Sequence, residues 1–296
     1  MMRRGYTLIE IIITVAITGI LSVGMFKAFE AITLRSEKAK ILTTLSMDSQ
    51  SALDQISILL YNRAPMSVSG YNLGDATRTP LASSTDKEII EWLGLASESY
   101  LAGDYSGFVD MNHSDYATAT LYTPETTKAS IENTQSAKWG SFNWANDNIA
   151  LVFSGTFDEG VSTVHPITMT VDNAIVFSGV APTTIYEKYN LVDSAYAVAR
   201  GADIDQSANC ITTLGISSTA IDNTLFLFYN YRPWNGESFC ADIAAHNPQG
   251  RVSILATNVN AFRAQMINST IRLSIDTNRT VRGGNPVRLS KQKVVF

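Results

Sequence analysis

Arg3-Arg4-Gly5-Tyr6-Thr7-Leu8-Ile9-Glu10 runs without a break into Ile11-Ile12-Ile13-Thr14-Val15-Ala16-Ile17-Thr18-Gly19-Ile20-Leu21-Ser22-Val23-Gly24-Met25-Phe26. Two arginines thus precede an apolar run of about twenty residues, the length that crosses the hydrocarbon of a bilayer as a helix. A single carboxylate, Glu10, sits inside the run. A charge deep in a bilayer costs about 2.5–3.5 kcal/mol on insertion scales and less near the edge. A segment that only anchored the chain would be more stable without it, so Glu10 is expected to have a partner.

The helix does not stop at the end of the apolar run. From Lys27 to Leu60 there is neither proline nor glycine, and Ile41, Leu42, Leu45, Ala52, Leu53, Ile56, Leu59 and Leu60 recur near a helical period. Thr33, Arg35, Glu37, Lys38, Lys40 and Asp54 fall on other faces. One helix is predicted from about Tyr6 to Leu60, apolar all round in its first half and amphipathic in its second. Asn62-Arg63-Ala64-Pro65 ends it, because the residue before a proline is pushed out of α geometry. Gly19 and Gly24 are its weak points, each costing about 1 kcal/mol relative to alanine.

Gly5-Tyr6-Thr7-Leu8-Ile9-Glu10 resembles the prepilin processing site of type IV pilins and type II secretion pseudopilins. The resemblance covers roughly the first thirty residues. It implies that a membrane-embedded prepilin peptidase cuts after Gly5 and methylates the new amine on Tyr6. It also makes Glu10 the glutamate that assists filament assembly. The family most often has phenylalanine where Tyr6 stands, and the aromatic ring is kept. In a bundle of such helices the Tyr6 amine of one subunit can pair with Glu10 of a neighbour. Leaving either charge unpaired in a water-poor setting costs several kcal/mol, so the pair favours one axial stagger between subunits.

The chain divides accordingly into a leader (1–5), a transmembrane or filament-core half-helix (6–29), an amphipathic half-helix (30–62) and a head (63–296). At 296 residues and 45% hydrophobic side chains it can bury a substantial core. Its formal charge is −5, and loss of Arg3 and Arg4 with the leader leaves 20 basic against 27 acidic side chains, or −7. No basic patch of the nucleic-acid-binding type stands out in the sequence. Arg3 and Arg4, with no comparable cluster immediately after the apolar run, place the amino terminus in the cytoplasm and the head outside. No small-x-small site follows the run, which argues against an ordinary secretory signal peptide.

Beyond Pro65 the pattern turns to strands and loops. Thr85-Asp86-Lys87-Glu88 reads as a capping box opening a short helix over Ile89–Leu93, closed by Gly94. Ser97 to Trp144 is polar and reads as long loops, with a strand near Thr118–Tyr122. Strands are expected at Ile149–Thr156, Ile167–Val171, Ala174–Ser178, Ile185–Val192, Ala195–Ala199 and Leu225–Tyr231. Arg251–Leu255, Phe262–Met266, Thr270–Ile275 and Val287–Phe296 follow, and Val171-Asp172-Asn173-Ala174 reads as a hairpin turn. The predicted class is α+β: a long amino-terminal helix packed on a mostly antiparallel head, which is also the pilin architecture. The stretch Val252–Phe262, with Leu255, Asn258, Val259 and Phe262 in a hydrophobic-strand context, resembles the larger minor pilins and the J-type pseudopilins.

Catalytic patterns are not found. His113, His165 and His246 are scattered, and no metal-ligand spacing, nucleophile elbow or phosphate-binding glycine loop occurs. Asp203-Ile204-Asp205 before Asn209 offers oxygen ligands to calcium but lacks the EF-hand spacing, so a solvated turn is expected. Trp139, Phe142 and Trp144, like Tyr229, Tyr231 and Trp234, read as packing residues before a sugar-binding surface. No cofactor and no metal is expected. A head delivered to an oxidising periplasm is expected to join its two cysteines, Cys210 and Cys240, with free buried thiols as the alternative. Closing that loop of about thirty residues is worth roughly 3–4 kcal/mol on the chain-entropy model. Asn112 and Asn278 lie in N-x-Ser/Thr sequons with an aspartate two positions earlier, and both stretches read as turn-prone, so they are candidate glycosylation sites. Asn268 lacks the acidic residue and is expected to stay bare.

These readings imply a minor pilin-like structural subunit that primes or caps a type IV pilus, and not an enzyme. A minor pseudopilin of a type II secretion system shares every amino-terminal feature. A membrane-anchored periplasmic binding module or enzyme is the remaining reading, opposed by Glu10 and the cleavage site. The implied partners are prepilin peptidase, other pilin or pseudopilin subunits, the inner-membrane assembly platform and, before assembly, the bilayer. The protein is expected as a single-pass inner-membrane species with a periplasmic head, and afterwards in a pilus or pseudopilus.

Mass spectrometry of the protein from its host is expected to show a mature chain that begins at a methylated Tyr6. Replacement of Gly5 by a bulky residue is expected to leave the full-length chain in the membrane. An intact Met1 or Met2 terminus in the wild type contradicts the processing site.

Overall fold

The computed structural model describes residues 7–65, 67–72, 78–83, 87–145, 149–154, 164–206, 209–237, 239, 250–267, 270–282, 284 and 286–296. α1 (Leu8–Tyr61) is one helix of 54 residues, as the lack of a breaker predicts. From Leu8 to Ile32 every large apolar side chain is exposed. Hydroxyls in this half are hidden by bonding back one turn: Thr14, Thr18 and Ser22 donate to the carbonyls of Glu10, Thr14 and Thr18, each at 2.7 Å. The second half buries Ile41, Leu45, Ser49, Ala52, Leu53, Ile56 and Leu60, a spacing of three to four that turns one face inward.

The head carries β1 (Ser69–Tyr71), β2 (Thr79–Pro80), β3 (Ile89–Leu95), α2 (Ser97–Leu101), β4 (Asp110–Asp115), β5 (Thr120–Tyr122) and α3 (Lys128–Trp139). It continues with β6 (Ala150–Phe153), β7 (His165–Thr168), β8 (Ala174–Phe177), β9 (Tyr189–Arg200), α4 (Asn209–Thr212) and α5 (Ser218–Ile221). The last strands are β10 (Leu225–Tyr231), β11 (Arg251–Ala256), β12 (Val259–Ile267), β13 (Thr270–Thr280) and β14 (Pro286–Val295). All pairings among these strands are antiparallel.

The larger sheet has the order β2-β1-β3-β9-β6-β7-β8-β5-β4, with β10 and then β11 added beside β9. β9 is its spine. Tyr189–Val192 pair with β6, Ala195–Arg200 pair with β10, and β3 runs along the opposite edge. The smaller sheet is β12-β13-β14. Leu53, Ile56 and Leu60 of α1 share one apolar cluster with Trp92, Val198, Phe262, Leu273 and Ile275, so the helix joins both sheets. Polar ties reinforce the packing on β14. Lys293 ion-pairs with Asp54, and Lys291 Nζ donates to the Ser46 carbonyl at 2.9 Å and to Gln50 Oε1 at 3.3 Å. Where the chain leaves α1, Ala64 N–H donates to the Leu93 carbonyl at 2.7 Å and Leu95 N–H to that of Asn62 at 3.0 Å.

Three expectations are corrected. Ile89–Leu93 is not a helix but most of β3, while Thr85 and Asp86 of the supposed capping box lie outside the described residues. Ile89 through Gly94 are buried, enclosed by β1 and β9 on both edges. β-branched and aromatic side chains buried on two faces suit a central strand, and that tertiary setting overrides the local signal. Within Ser97–Trp144 the strand near Thr120 is present, but the supposed loops also hold α2, β4 and the twelve-residue α3. The turn between β7 and β8 caps α3: Asp172 Oδ1 accepts from Lys128 N–H at 2.8 Å and Asn173 Oδ1 from Thr126 N–H at 3.0 Å. Gly140, at φ 91°, closes the other end of α3. Finally, the two strands expected at Ile185–Val192 and Ala195–Ala199 are one, β9, which runs on through Asp193-Ser194.

A Cβ on Gly201, at the corner after β9, would lie 2.1 Å from the carbonyl oxygen of Ile221. Backbone occupies that space, so relief requires the α5 turn to move. Gly201→Ala is expected to cost about 1–3 kcal/mol and to lower the thermal midpoint of the detergent-solubilised protein by roughly 2–10 °C. An unchanged midpoint contradicts this packing.

Candidate assembly site

Thr7 is the N-cap of α1 in extended geometry, φ −76° and ψ 150°. Glu10 stands three residues further on, the spacing of a capping box. The box is not closed, however: no side-chain cap bond forms at Thr7. The Thr7 carbonyl instead accepts from the backbone N–H of Glu10 at 3.1 Å and of Ile11 at 3.3 Å. The Glu10 carboxylate is therefore not engaged with its own helix end and faces outward, in the first turn, where the helix dipole favours an anion. Around it α1 presents an uncovered apolar surface with its hydroxyls already satisfied. Such a surface has two physical uses, contact with lipid or contact with other helices. Gly5 and Tyr6, the predicted cleavage site and new amine, lie outside the described residues.

Residues 1–26 match the family model of the prokaryotic N-terminal methylation motif, which is the signature of type IV pilins and pseudopilins. This amino terminus is of the type IV pilin and pseudopilin kind. No curated protein and no solved structure matches the chain. The motif marks a family of structural subunits and implies processing by prepilin peptidase and assembly with other pilin subunits. Together with the apolar helix it fits membrane anchoring with a periplasmic head.

Several titratable groups of the head are held in structural pairs. Lys138 Nζ of α3 lies 2.8 Å from Asp193 Oδ2 of β9 and 2.7 Å from Glu98 Oε2 of α2. The Asp193 side chain is only 1% exposed, and burial pushes its carboxyl above the usual carboxylate range. Burial, the largest single effect, would pull the Lys138 ammonium down, but the charges of Asp193 and Tyr196 and the hydrogen bonds to Asp193 and Glu98 together outweigh it and hold the lysine above its ordinary value. The pair thus ties α2 and α3 to the spine strand. A second pair, Arg78 Nε to Glu91 Oε2 at 2.5 Å, closes the β3 side.

The remaining sequence candidates are placed apart from one another. Asp203 is engaged by Arg200, which donates to both of its carboxylate oxygens at 3.0 and 3.1 Å. Among the described residues no group of three His, Cys, Asp or Glu is arranged to hold a metal. His113 contacts Asp110 Oδ2 at 2.6 Å, His165 packs between Phe153 and Phe177, and His246 lies outside the described residues. Phe142 and Trp144 meet edge to face at 5.1 Å within an apolar cluster, and Tyr231 is fully buried, so these aromatics pack. Cys210 is half-buried in α4 against the cluster that contains Ile211 and Phe228; Cys240 lies outside the described residues. Asn112 is exposed on β4, which pairs with β5 only through Asp110 and Asp115. Asn278, expected in a turn, instead lies within β13, paired with Arg288 of β14.

Lys138→Met would strip the partner from a buried carboxylate, at a cost of about 3–5 kcal/mol. The Asp193 carboxyl, already raised in the folded state, would then rise further. The loss is largest above that folded value and shrinks as pH falls and the carboxyl takes up a proton. The difference in thermal midpoint between variant and wild type is expected to narrow as the pH is lowered from the alkaline side toward the ordinary carboxylate range. A difference independent of pH contradicts this role for Lys138.

Proposed function

We propose that the protein is a minor pilin-like subunit that primes or caps a type IV pilus. The observation that carries the reading is Glu10: one unengaged carboxylate on an uncovered apolar helix that begins with the methylation motif. A carboxylate in that setting destabilises a solitary anchor and stabilises a bundle in which a neighbour's Tyr6 amine meets it. A head of more than two hundred residues, built on a single long helix, favours a low-abundance position over bulk filament building. A minor pseudopilin of a type II secretion system uses the same helix in the same way, and the proteins that co-purify distinguish the two systems. In the periplasm Cys210 and Cys240 form a disulfide across the β10 region. Of the two candidate glycosylation sites, Asn112 is the accessible one, because its strand is paired only at its ends.

Glu10→Leu is expected to insert into the membrane at least as well as the wild type, yet to fall about tenfold or more in recovery from sheared filaments. Membrane fractionation and immunoblotting of the filament fraction measure both quantities. Undiminished incorporation of the variant rules out the pairing role.

A further inference from the structure

The whole-chain charge of −5 conceals a separation in space. From Arg251 to Phe296 there are eight basic side chains against one acid, Asp276, while residues 1–250 hold the other 14 basic and 26 acidic ones. Two of the eight, Lys291 and Lys293, are engaged with α1. Arg279, Arg282 and Arg288 are not. They flank the passage from β13 into β14, Arg279 and Arg288 on opposite faces of the sheet; all three are exposed, and none has an ion-pair partner among the described residues. Between them the chain is held to α1 by Val281, which is buried with Ile41 and Leu45 against Leu34 and Val287.

That contact sets the height of the cluster above the apolar half of α1. A span of about twenty residues that starts at Leu8 leaves the hydrocarbon near Lys27. At 1.5 Å per residue, Leu34 then stands about 10 Å and Ile41 about 20 Å beyond the hydrocarbon edge. The polar headgroup layer occupies the first 5–8 Å or so of that interval. Exposed arginines flanking Val281, between the heights of Leu34 and Ile41, therefore come within about one to two Debye lengths of the lipid phosphates, a gap that their long side chains shorten. The helix itself adds no net charge on this face: Lys27 and Lys38 lie within about 40° of Leu34 around the axis, and Glu30 and Glu37 within about 40° and 60°. The positive charge is that of the arginines, and Asp276 lies farther up β13, opposite Ser290.

We propose that, before assembly, the β13–β14 end of the head docks on the anionic phospholipid headgroups of the bilayer that α1 crosses, through Arg279, Arg282 and Arg288. The inference rests on the reading of α1 as a membrane anchor. Docking would fix the tilt of the head over the membrane, and entry into a filament would have to break it. Arginine suits the role because its planar fork binds phosphate oxygens two at a time.

The test uses the full chain carrying Thr280→Trp, reconstituted in phosphatidylcholine vesicles that contain a nitroxide on some headgroups. Quenching of the added tryptophan is compared with the same vesicles holding about 30% phosphatidylglycerol. At least about threefold stronger quenching is expected with the anionic lipid, and it is expected to be lost in about 0.5 M salt. Combining the probe with Arg279→Gln, Arg282→Gln and Arg288→Gln is expected to abolish the difference, while flotation with the vesicles is unchanged. Equal quenching in both lipids, with the protein still floating, overturns the docking proposal and leaves the anchor intact. Failure to float with either vesicle overturns the anchor reading, and the docking proposal with it. Release of the quenching by a short DNA duplex below about micromolar concentration would make nucleic acid the preferred partner and also overturn the proposal.

Discussion

A helix without a break must carry one backbone through two environments, and the rest of this structure follows from that constraint. Backbone hydrogen bonds satisfied within α1 allow the first half to stand with no tertiary cover, provided that water is absent or another helix is present. The second half cannot do the same in water. Ile41, Leu45, Leu53, Ile56 and Leu60 need a partner surface, and the carboxyl-terminal strands β13 and β14 supply it. The chain thus ends packed on the element with which it begins, and a force on the anchor passes directly into the sheet.

The head is arranged around β9 for a related reason. A twelve-residue strand, long enough to pair with β3 on one edge and with β6 and β10 in turn on the other, lets two lobes share one backbone. The junction is polar where it passes through Asp193-Ser194. Ser194 Oγ accepts from Asn230 N–H at 2.9 Å, and Asp193 takes Lys138. Hydrophobic residues of similar volume would cost less to bury. The ionic tie instead fixes which helices dock at that point. Glu98 and Lys138 belong to elements with few buried apolar residues of their own: α3 buries only Ile131 and Gln135.

Charge is distributed along the same axis. Acidic side chains predominate through the body of the head, whereas from Arg251 onward basic ones do, and Arg279, Arg282 and Arg288 stand exposed about the end of β13 and the start of β14. A chain that repelled an anionic surface everywhere would hold its head away from the membrane, and on the docking proposal these arginines do the opposite.

Periodicity alone determined α1 and its end at Asn62-Arg63-Ala64-Pro65, because a helix is written in contacts three and four residues apart. The cost of Glu10 in a greasy run is equally local, and so is the match of residues 1–26 to the methylation motif. β10 was legible at Leu225–Tyr231 because a short continuous run of leucine and aromatic residues is a local signal, and the turn at Asp172-Asn173 because Asn173 tolerates a positive φ of 59°. Thr127 and Gly140 bracket α3 and offered a signal for it, but its polar sequence shows no apolar stripe, and its cap comes from Asp172 and Asn173, more than forty residues away. Only the tertiary structure made Ile89–Leu95 a strand, since burial between β1 and β9 is a property of the assembled sheet and not of the seven residues. Only it, too, packed Val281, and with it the flanking Arg279 and Arg282, onto the Ile41–Leu45 stretch of α1: the sequence distance is some 240 residues, and packing acts through space.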